Sequence, residues 1–416
     1  MSSIYDACLL VHFDKSYIPC IKETVPEGVE LGYDAIYFCS TCWPFPEEKI
    51  NLSKLPLVYS FNINQVFYHG LLFMYDEEPY SILITTRRPY ASLLGTFLKD
   101  VKKQFIITEI PEPSFAFTYV TSMLTTWPRG AVESAVLTFP TKSLAISFDI
   151  THFSYMQYNP LKFFDKDEIP KLWKALFTGS PVLIISPSAD ICCKACFAAF
   201  SLMTPLLYDD HCVIWLQKSD PRYKTVKEGD TTYKLVGSSY NELEKCKQFS
   251  LILHVKSAKK SSATDETNIH DQMSKHTSKI LKIILAELDM ILSIDAYSDF
   301  VDKTFATEHF REILKEFGTP DMPTFEDFQL FEKTDTFKRW RKAQAMRDIL
   351  RHSLLSYSPP DNFRDRSPED LMKIIEGIES MKVKFWNDAH VIAVLKSHES
   401  RVEKLIKHNS TQKQKQ

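Results

Sequence analysis

The stretch "GSPVLIISPSADICCKACFAAFSLMTPLLY", residues 179 to 208, decides the fold. Its "PVLIIS" (181 to 186) is short, almost wholly apolar and fenced by Gly, Pro and Ser, which is how a strand buried on both faces of a sheet reads. The segment after it carries Ile191, Ala195, Ala198 and Leu202 on one helical face and Phe197, Phe200 and Met203 on another. A helix that is apolar on every side is a buried helix. Three cysteines, Cys192, Cys193 and Cys196, open that helix, just past a strand's C-terminal end, where α/β enzymes place ligand-binding groups.

Upstream, "DEIPKLWKALFTG" reads as a helix ending at Gly179, a C′ cap. Downstream, "CVIWL" (212 to 216) and "FSLILHV" (249 to 255) add two strands, giving a parallel or mixed α/β layer over residues 136 to 257. Residues 1 to 135 read as a separate lobe. "IYDACLLVHF" (4 to 13), "GYDAIYFCS" (32 to 40), "VFYHGLLFMY" (66 to 75) and "YSILITT" (80 to 86) are rich in aromatic and β-branched residues, as strands are. Pro89 then opens an amphipathic helix in which Leu93, Leu94, Phe97, Leu98 and Val101 recur at helical spacing. A loop with "PEPS" (111 to 114) and "TTWPRG" (125 to 130) leads to "SAVLTFPTKSLAISFD", two further strands.

The segment 256 to 279 is almost free of apolar residues and reads as a linker, solvated rather than lipid-bound, its core at 258 to 279. Beyond it the pattern is helical over 279 to 297, 303 to 317, 325 to 355 and 367 to 407, the last with Ser367 as N-cap and Pro368 at the first position. This helical region spans 280 to 408, and the tail 409 to 416 is expected to be disordered.

Composition narrows the function. The 416 residues, 44% hydrophobic and 25% charged, are an ordinary globular mix too long for one core. A net charge of −3 gives no bulk attraction to nucleic acid or anionic membrane, so any such contact must come from a local patch. The N-terminus lacks a signal-peptide pattern, and "ILKIILAELDMILSI" (280 to 294) is interrupted by charges and short of the ~20 residues of a membrane span. The chain reads as cytoplasmic. Nine cysteines from Cys8 to Cys246 then read as reduced thiols. Cys39-x-x-Cys42 and Cys193-x-x-Cys196 together have the form of zinc ligands, and the second alone the form of a redox pair. Zinc knuckles place their pairs closer together and use nearby glycines, and buried cysteine is the commoner fate of a thiol on an apolar helix. With ten glycines, the chain holds neither G-x-G-x-x-G nor a P-loop, and it has no H-E-x-x-H or G-x-S-x-G; its twelve histidines stand singly. No cofactor and no metal is expected.

The segment "LWKALFTGSPVLIISPSADICCKACFAAFSLMTPLLYDDHCVIWLQKSDPRY" (172 to 223) resembles the central module of DENN-domain proteins. A helix ends in Gly, a G-x-P and a short apolar strand follow, then Ser-Pro-Ser and an apolar helix running to "TPLLY". "YSILITTRRPYASLLGTFLKDV" (80 to 101) resembles the strand, basic-Pro-aromatic turn and helix of the family's upstream, longin-like module. "YKLVGSSYNELEKCKQFSLILHV" (233 to 255) and "FEDFQLFEKTDTFKRWRKAQ" (325 to 344), with Phe337-Lys338-Arg339-Trp340, resemble segments of DENN-domain subfamily six. The four pieces are collinear over roughly residues 1 to 350. The cysteines fall where that family uses small residues.

The resemblance implies an α/β chain: a longin-like lobe, a central DENN lobe and a helical C-terminal region. It implies a guanine-nucleotide exchange factor for a Rab-family small GTPase, acting in endosomal membrane traffic. Such a factor performs no covalent chemistry. It opens the switch region by differential binding, which takes about 5.5 kcal/mol of preference to turn 1:99 into 99:1. The partner expected is the GTPase, with no nucleic acid and peripheral recruitment to endosomal membranes. The family seats its GTPase across both lobes, which makes Arg87, Arg88 and Tyr90 at the start of the upstream helix, and Ser186, Pro187, Ser188 and Asp190 after the central strand, the candidate interface. Against this, Tyr90 reads equally as a packed aromatic, Ser188 or Asp190 as a helix cap, and both arginines as solvated. The alternatives are a non-catalytic GTPase-binding scaffold and a folliculin-like regulator of GTP hydrolysis. The latter places an arginine before the strand equivalent to "YSILITT", where this chain has "LLFMYDEEPY".

Overall fold

The computed structural model describes residues 4–28, 35–45, 52–87, 90–128, 134–147, 158–259, 263–294, 304–317, 322–345, 354–355, 363, 366–386 and 388–413. β1 (Ala7–Phe13), β2 (Pro19–Val25), β3 (Leu57–Ile63), β4 (Val66–Tyr75) and β5 (Glu78–Thr86) make an antiparallel sheet in the order β2-β1-β5-β4-β3. The two-residue turns of its β3-β4 and β4-β5 hairpins need left-handed backbone, supplied by Asn64 in the first and by Asp76 and Glu77 in the second.

Both faces of this sheet are covered. Cys8 and Leu10 of β1 join one core with α2 (Ala91–Thr108) and α3 (Pro113–Leu124). Leu9, Val11 and Phe13 join the other, with Phe38 of α1 (Ala35–Thr41). Coverage on two sides explains why β1 shows almost no polar alternation. The expected strand at 32 to 40 is α1 from Ala35, and residues 32 to 34 lie outside the described residues. Its aromatics suit a strand locally, but burial of Phe38 against Phe61 and Tyr68 is satisfied by a short helix. α3 also replaces part of the expected loop, with Pro113 at its first turn. The hairpin β6 (Ser134–Thr138) and β7 (Ser143–Ser147) buries Leu137, Phe139 and Ile146 in the α2 core. It therefore packs with the first sheet and not with the lobe expected to begin at residue 136. Asp100 of α2 holds its turn by accepting from Thr141 N at 3.0 Å and Thr141 Oγ1 at 2.7 Å.

The second sheet is wholly parallel, β11-β8-β10-β9, built from β8 (Val182–Ile185), β9 (Cys212–Leu216), β10 (Leu235–Ser238) and β11 (Leu251–His254). α4 (Ile169–Phe177) ends where Gly179 takes φ +64°, the C′ cap the sequence called for. α5 (Ala189–Ser201) and α6 (Pro221–Lys227) complete the layer. The two sheets meet along β3 and β9, where the Asn62 side chain acts as a strand surrogate. Its Nδ2 donates to Cys212 O at 2.8 Å and its Oδ1 accepts from Ile214 N at 2.9 Å. Beside it, the Asp220–Arg222 ion pair is fully buried at 2.6 Å; Arg222 also donates to Asn62 O and Thr41 Oγ1 donates to Asp220.

The chain divides into two units, Met1–Ser278 and Lys279–Gln416. The expected linker is helical: α7 (Ala263–Ile294) begins well before residue 279. Its first half is polar and rich in Thr, Asp, Ser and His, weak helix formers, and its packing on α4, where Trp173 meets His276 and Thr277, overrides that weak propensity. The second unit is helical in the described residues. α8 (Glu308–Phe317) and α9 (Phe325–Lys333), the latter with a Thr324/Asp327 capping box, are followed by α10 (Asp335–Ala345), α11 (Pro368–Lys384) and α12 (Ala389–Lys413). Phe305, Phe310, Phe328 and Phe337 form its aromatic centre. Ser367 caps α11 by accepting from Asp370 N. The expected helix 325 to 355 breaks at Thr334, and α12 extends to Lys413 into the expected disordered tail. The molecule is thus mixed α/β with a helical C-terminal region, and no helix among the described residues is long and apolar enough to cross a membrane.

Candidate functional site

Ser188 is the N-cap of α5, its Oγ accepting from Ile191 N at 3.4 Å, and Asp190 stands in the first turn, where a carboxylate suits the helix dipole. Asp190 also pairs with Lys194 at 2.5 Å, one turn on. Pro187 is exposed, whereas Ser186 is buried, its backbone N–H donating to Ser238 O at 2.9 Å and its Oγ unpartnered. Of the four residues expected in this turn, three reach the surface and one belongs to the sheet's end.

The other half of the expected interface is arranged differently. Arg87 is exposed at the end of β5, where its charge and its backbone N–H favour the Asp6 carboxylate; burial outweighs them and pushes the Asp6 pKa up. Tyr90 is only 5% exposed and packs in the α2 core, presenting no side-chain surface to a partner. Arg88 lies outside the described residues.

Tyr158 joins the two lobes. Its hydroxyl donates to Ala91 O of α2 at 3.3 Å, its ring stacks on Phe197 of α5 and its carbonyl accepts from Ser201 Oγ at 3.0 Å. A Cβ on Gly95 would stand 2.7 Å from that hydroxyl, so glycine lets α2 approach. Residues 91, 95 and 99 lie on one stripe of α2, and 190, 194, 197 and 201 on one stripe of α5. Both stripes touch Tyr158 and run on to the surface, bringing Lys99 of α2 into the fields of Asp190 and Lys194. Lys162, from the short 3-10 turn Pro160–Lys162, and Lys103 act on it too. Lys99 is exposed, yet enough protein surrounds its ammonium that burial, and then the Lys194 charge, lower its pKa. The sequence showed Lys99 and Lys103 only as the polar end of an amphipathic helix. Their meeting with α5 is a tertiary fact.

The cysteines sit beneath this face. Cys193 Sγ donates to Ser60 O at 2.8 Å, Cys192 to Ile184 O and Cys196 to Ile214 O, each at 3.7 Å. Burial pushes the Cys193 and Cys196 thiols well up, so neither offers a thiolate. Among the described residues no three His, Cys, Asp or Glu side chains are grouped to hold a metal ion. What the face offers is charge and hydrogen-bonding surface spread over two lobes. Compared with known proteins, the chain matches no family model and no curated protein.

Proposed function

We propose that the chain is a DENN-type exchange factor that binds a Rab-family GTPase, opens its switch region and promotes GDP release in endosomal membrane traffic. The observation that carries this reading is the junction of α2 with α5 through Tyr158, which offers one partner a surface on both lobes. The order of the lobes, an antiparallel sheet with α2 on one face followed by a parallel α/β layer, supports it as well. Interface energy of this kind needs no proton donor or nucleophile, only tighter binding to one GTPase state than the other. The "longin-like" and "central DENN" names for the two lobes, and recruitment to endosomes, belong to the same proposal.

The test is release of fluorescent GDP from a panel of Rab GTPases with the full chain at catalytic concentration. Faster release from at least one endosomal Rab is expected. Stable binding without faster release would establish the scaffold alternative, and faster GTP hydrolysis the folliculin-like one.

A further inference from the structure

In a chain of net charge −3, Lys103, Lys162, Lys194 and Asp190 all act on Lys99, and Lys194 lies 2.5 Å from Asp190 on the face where Tyr158 draws α2 to α5. The lysines come from three elements, α2, the 160–162 turn and α5, so the cluster exists only in the folded first unit. Thr96 and Pro187 are exposed beside it, Ser92 and Ser188 partly so, and all are polar or small. Among the described residues the exposed large hydrophobics of this unit are Ile18, Ile36, Leu52, Ile106, Ile107, Phe115 and Val136, none on the 187–201 segment and none on α2 before residue 106. Ile106 and Ile107, 60% and 75% exposed, stand one turn beyond Lys103, but around Lys99 and Lys194 the surface is basic and polar, which fits the charge of an acidic protein.

We propose that Lys99, Lys103, Lys162 and Lys194 form the electrostatic docking face for an acidic surface of the GTPase, with Asp190 setting its strength. The inference rests on the function proposed above and names which residues hold the partner. Asp190 neutralises Lys194 in the free protein, so its carboxylate opposes an acidic partner while favouring the helix start.

Two variants test this in opposite directions. Lys99→Glu with Lys103→Glu alters exposed side chains and should leave the circular dichroism spectrum unchanged. It should slow association with the nucleotide-free Rab by roughly tenfold or more at low ionic strength, and flatten the salt dependence of the association rate. Asp190→Asn keeps the Ser188 cap and should speed association by roughly twofold or more at low salt.

Binding is measured by titration of the EDTA-stripped Rab panel, separately from GDP release. Lysine-dependent binding without release would sink the exchange reading and keep this one. Undiminished binding by the double-lysine variant overturns the proposal with the exchange reading intact. Lysine-dependent binding to phosphatidylserine vesicles, with no binding to any Rab, overturns it in favour of lipid, and binding to neither overturns it outright.

Discussion

Gly237, in the middle of β10, has no room for a methyl group. A Cβ there would lie 2.4 Å from Ile214 O, 2.7 Å from Cys192 Sγ and 2.9 Å from Cys196 Sγ. The carbonyl is backbone in a paired strand and cannot swing aside, so Gly237→Ala should cost about 2 kcal/mol or more, read as a lower denaturant midpoint. A loss within experimental error would mean that α5 does not press on β10 this closely. Cys192 and Cys196 are the other side of the same contact, whereas Cys193 faces Ser60 O; each of the three thiols fills space and donates to a carbonyl. Serine keeps the donor and the approximate shape, so replacing Cys192, Cys193 and Cys196 by Ser should cost about 1 kcal/mol per site and leave partner binding intact. Loss of binding by a folded triple variant would return the cysteines to the functional site. His69, on β4, is buried close by, bonded through Nδ1 to Ser60 at 2.9 Å, with Nε2 unpartnered near the Phe197 ring. Burial lowers its pKa from 6.5 to about 3. The unfolded chain takes up a proton on this residue below about 6.5 while the folded one refuses it, so stability falls as pH drops through that window. Between about pH 7.5 and 5 this contributes a loss of about 2 kcal/mol. His69→Asn should remove that share of the pH dependence; equal slopes in both proteins would show that His69 is protonated or solvated when folded.

At the scale of elements, the junction of β3 with β9 is held by polar groups with no water to fall back on. Arg222 is paired with Asp220, donates to Asn62 O and lies over the Tyr37 ring at 5.5 Å, so removing its counter-charge leaves a buried guanidinium. Asp220→Ala should therefore cost about 3–5 kcal/mol, while Asp220→Leu with Arg222→Met should cost much less, because a buried pair adds little over apolar packing. Equal losses in the two proteins would show that the junction needs charge itself. This network also marks what the sequence could and could not disclose. β8, β9 and α5 were legible because burial on all sides leaves uninterrupted apolar runs. β10 is four residues with a glycine, and β2 alternates Ile21, Lys22, Glu23 and Thr24 at a sheet edge, so neither carries enough signal. α1 hid behind aromatic residues whose helical form is chosen by the core they enter, and the first half of α7 hid behind low hydrophobicity, which does not exclude a helix. For the site, Ser188 and Asp190 were readable because capping is local chemistry. Tyr90 misled because an aromatic beside a helix start reads alike whether it faces a partner or the core. Lys99 had no local signature at all, since its role comes from Tyr158 drawing α2 and α5 together.

At the scale of the whole molecule, the division into two units falls at Ser278, inside the continuous helix α7, not in an extended linker. Protease susceptibility should follow that geometry. A sequence reading places the first cut anywhere in 256 to 279, but backbone hydrogen-bonded within a helix is a poor substrate and exposed, irregular backbone a good one. Lys256 and Lys259 are exposed and outside regular structure, just after β11 and before Ala263. Trypsin at low concentration should cut there, leaving α7 whole on the C-terminal piece. The two pieces should nevertheless stay together, because the start of α7 belongs to the first unit. Trp173 of α4, itself only 4% exposed, donates from Nε1 to the fully buried Thr277 Oγ1 at 3.1 Å and meets His276 edge-on, with ring centroids 4.8 Å apart. Two bands on a denaturing gel from one peak in native gel filtration are the expected result. Trp173→Ala removes both the hydrogen bond and the ring, and the nicked variant should then elute as two species, provided that it folds before nicking, as circular dichroism would show. First cleavage within 263 to 279, or separation of the nicked wild-type pieces, would mean that the start of α7 is not held on α4.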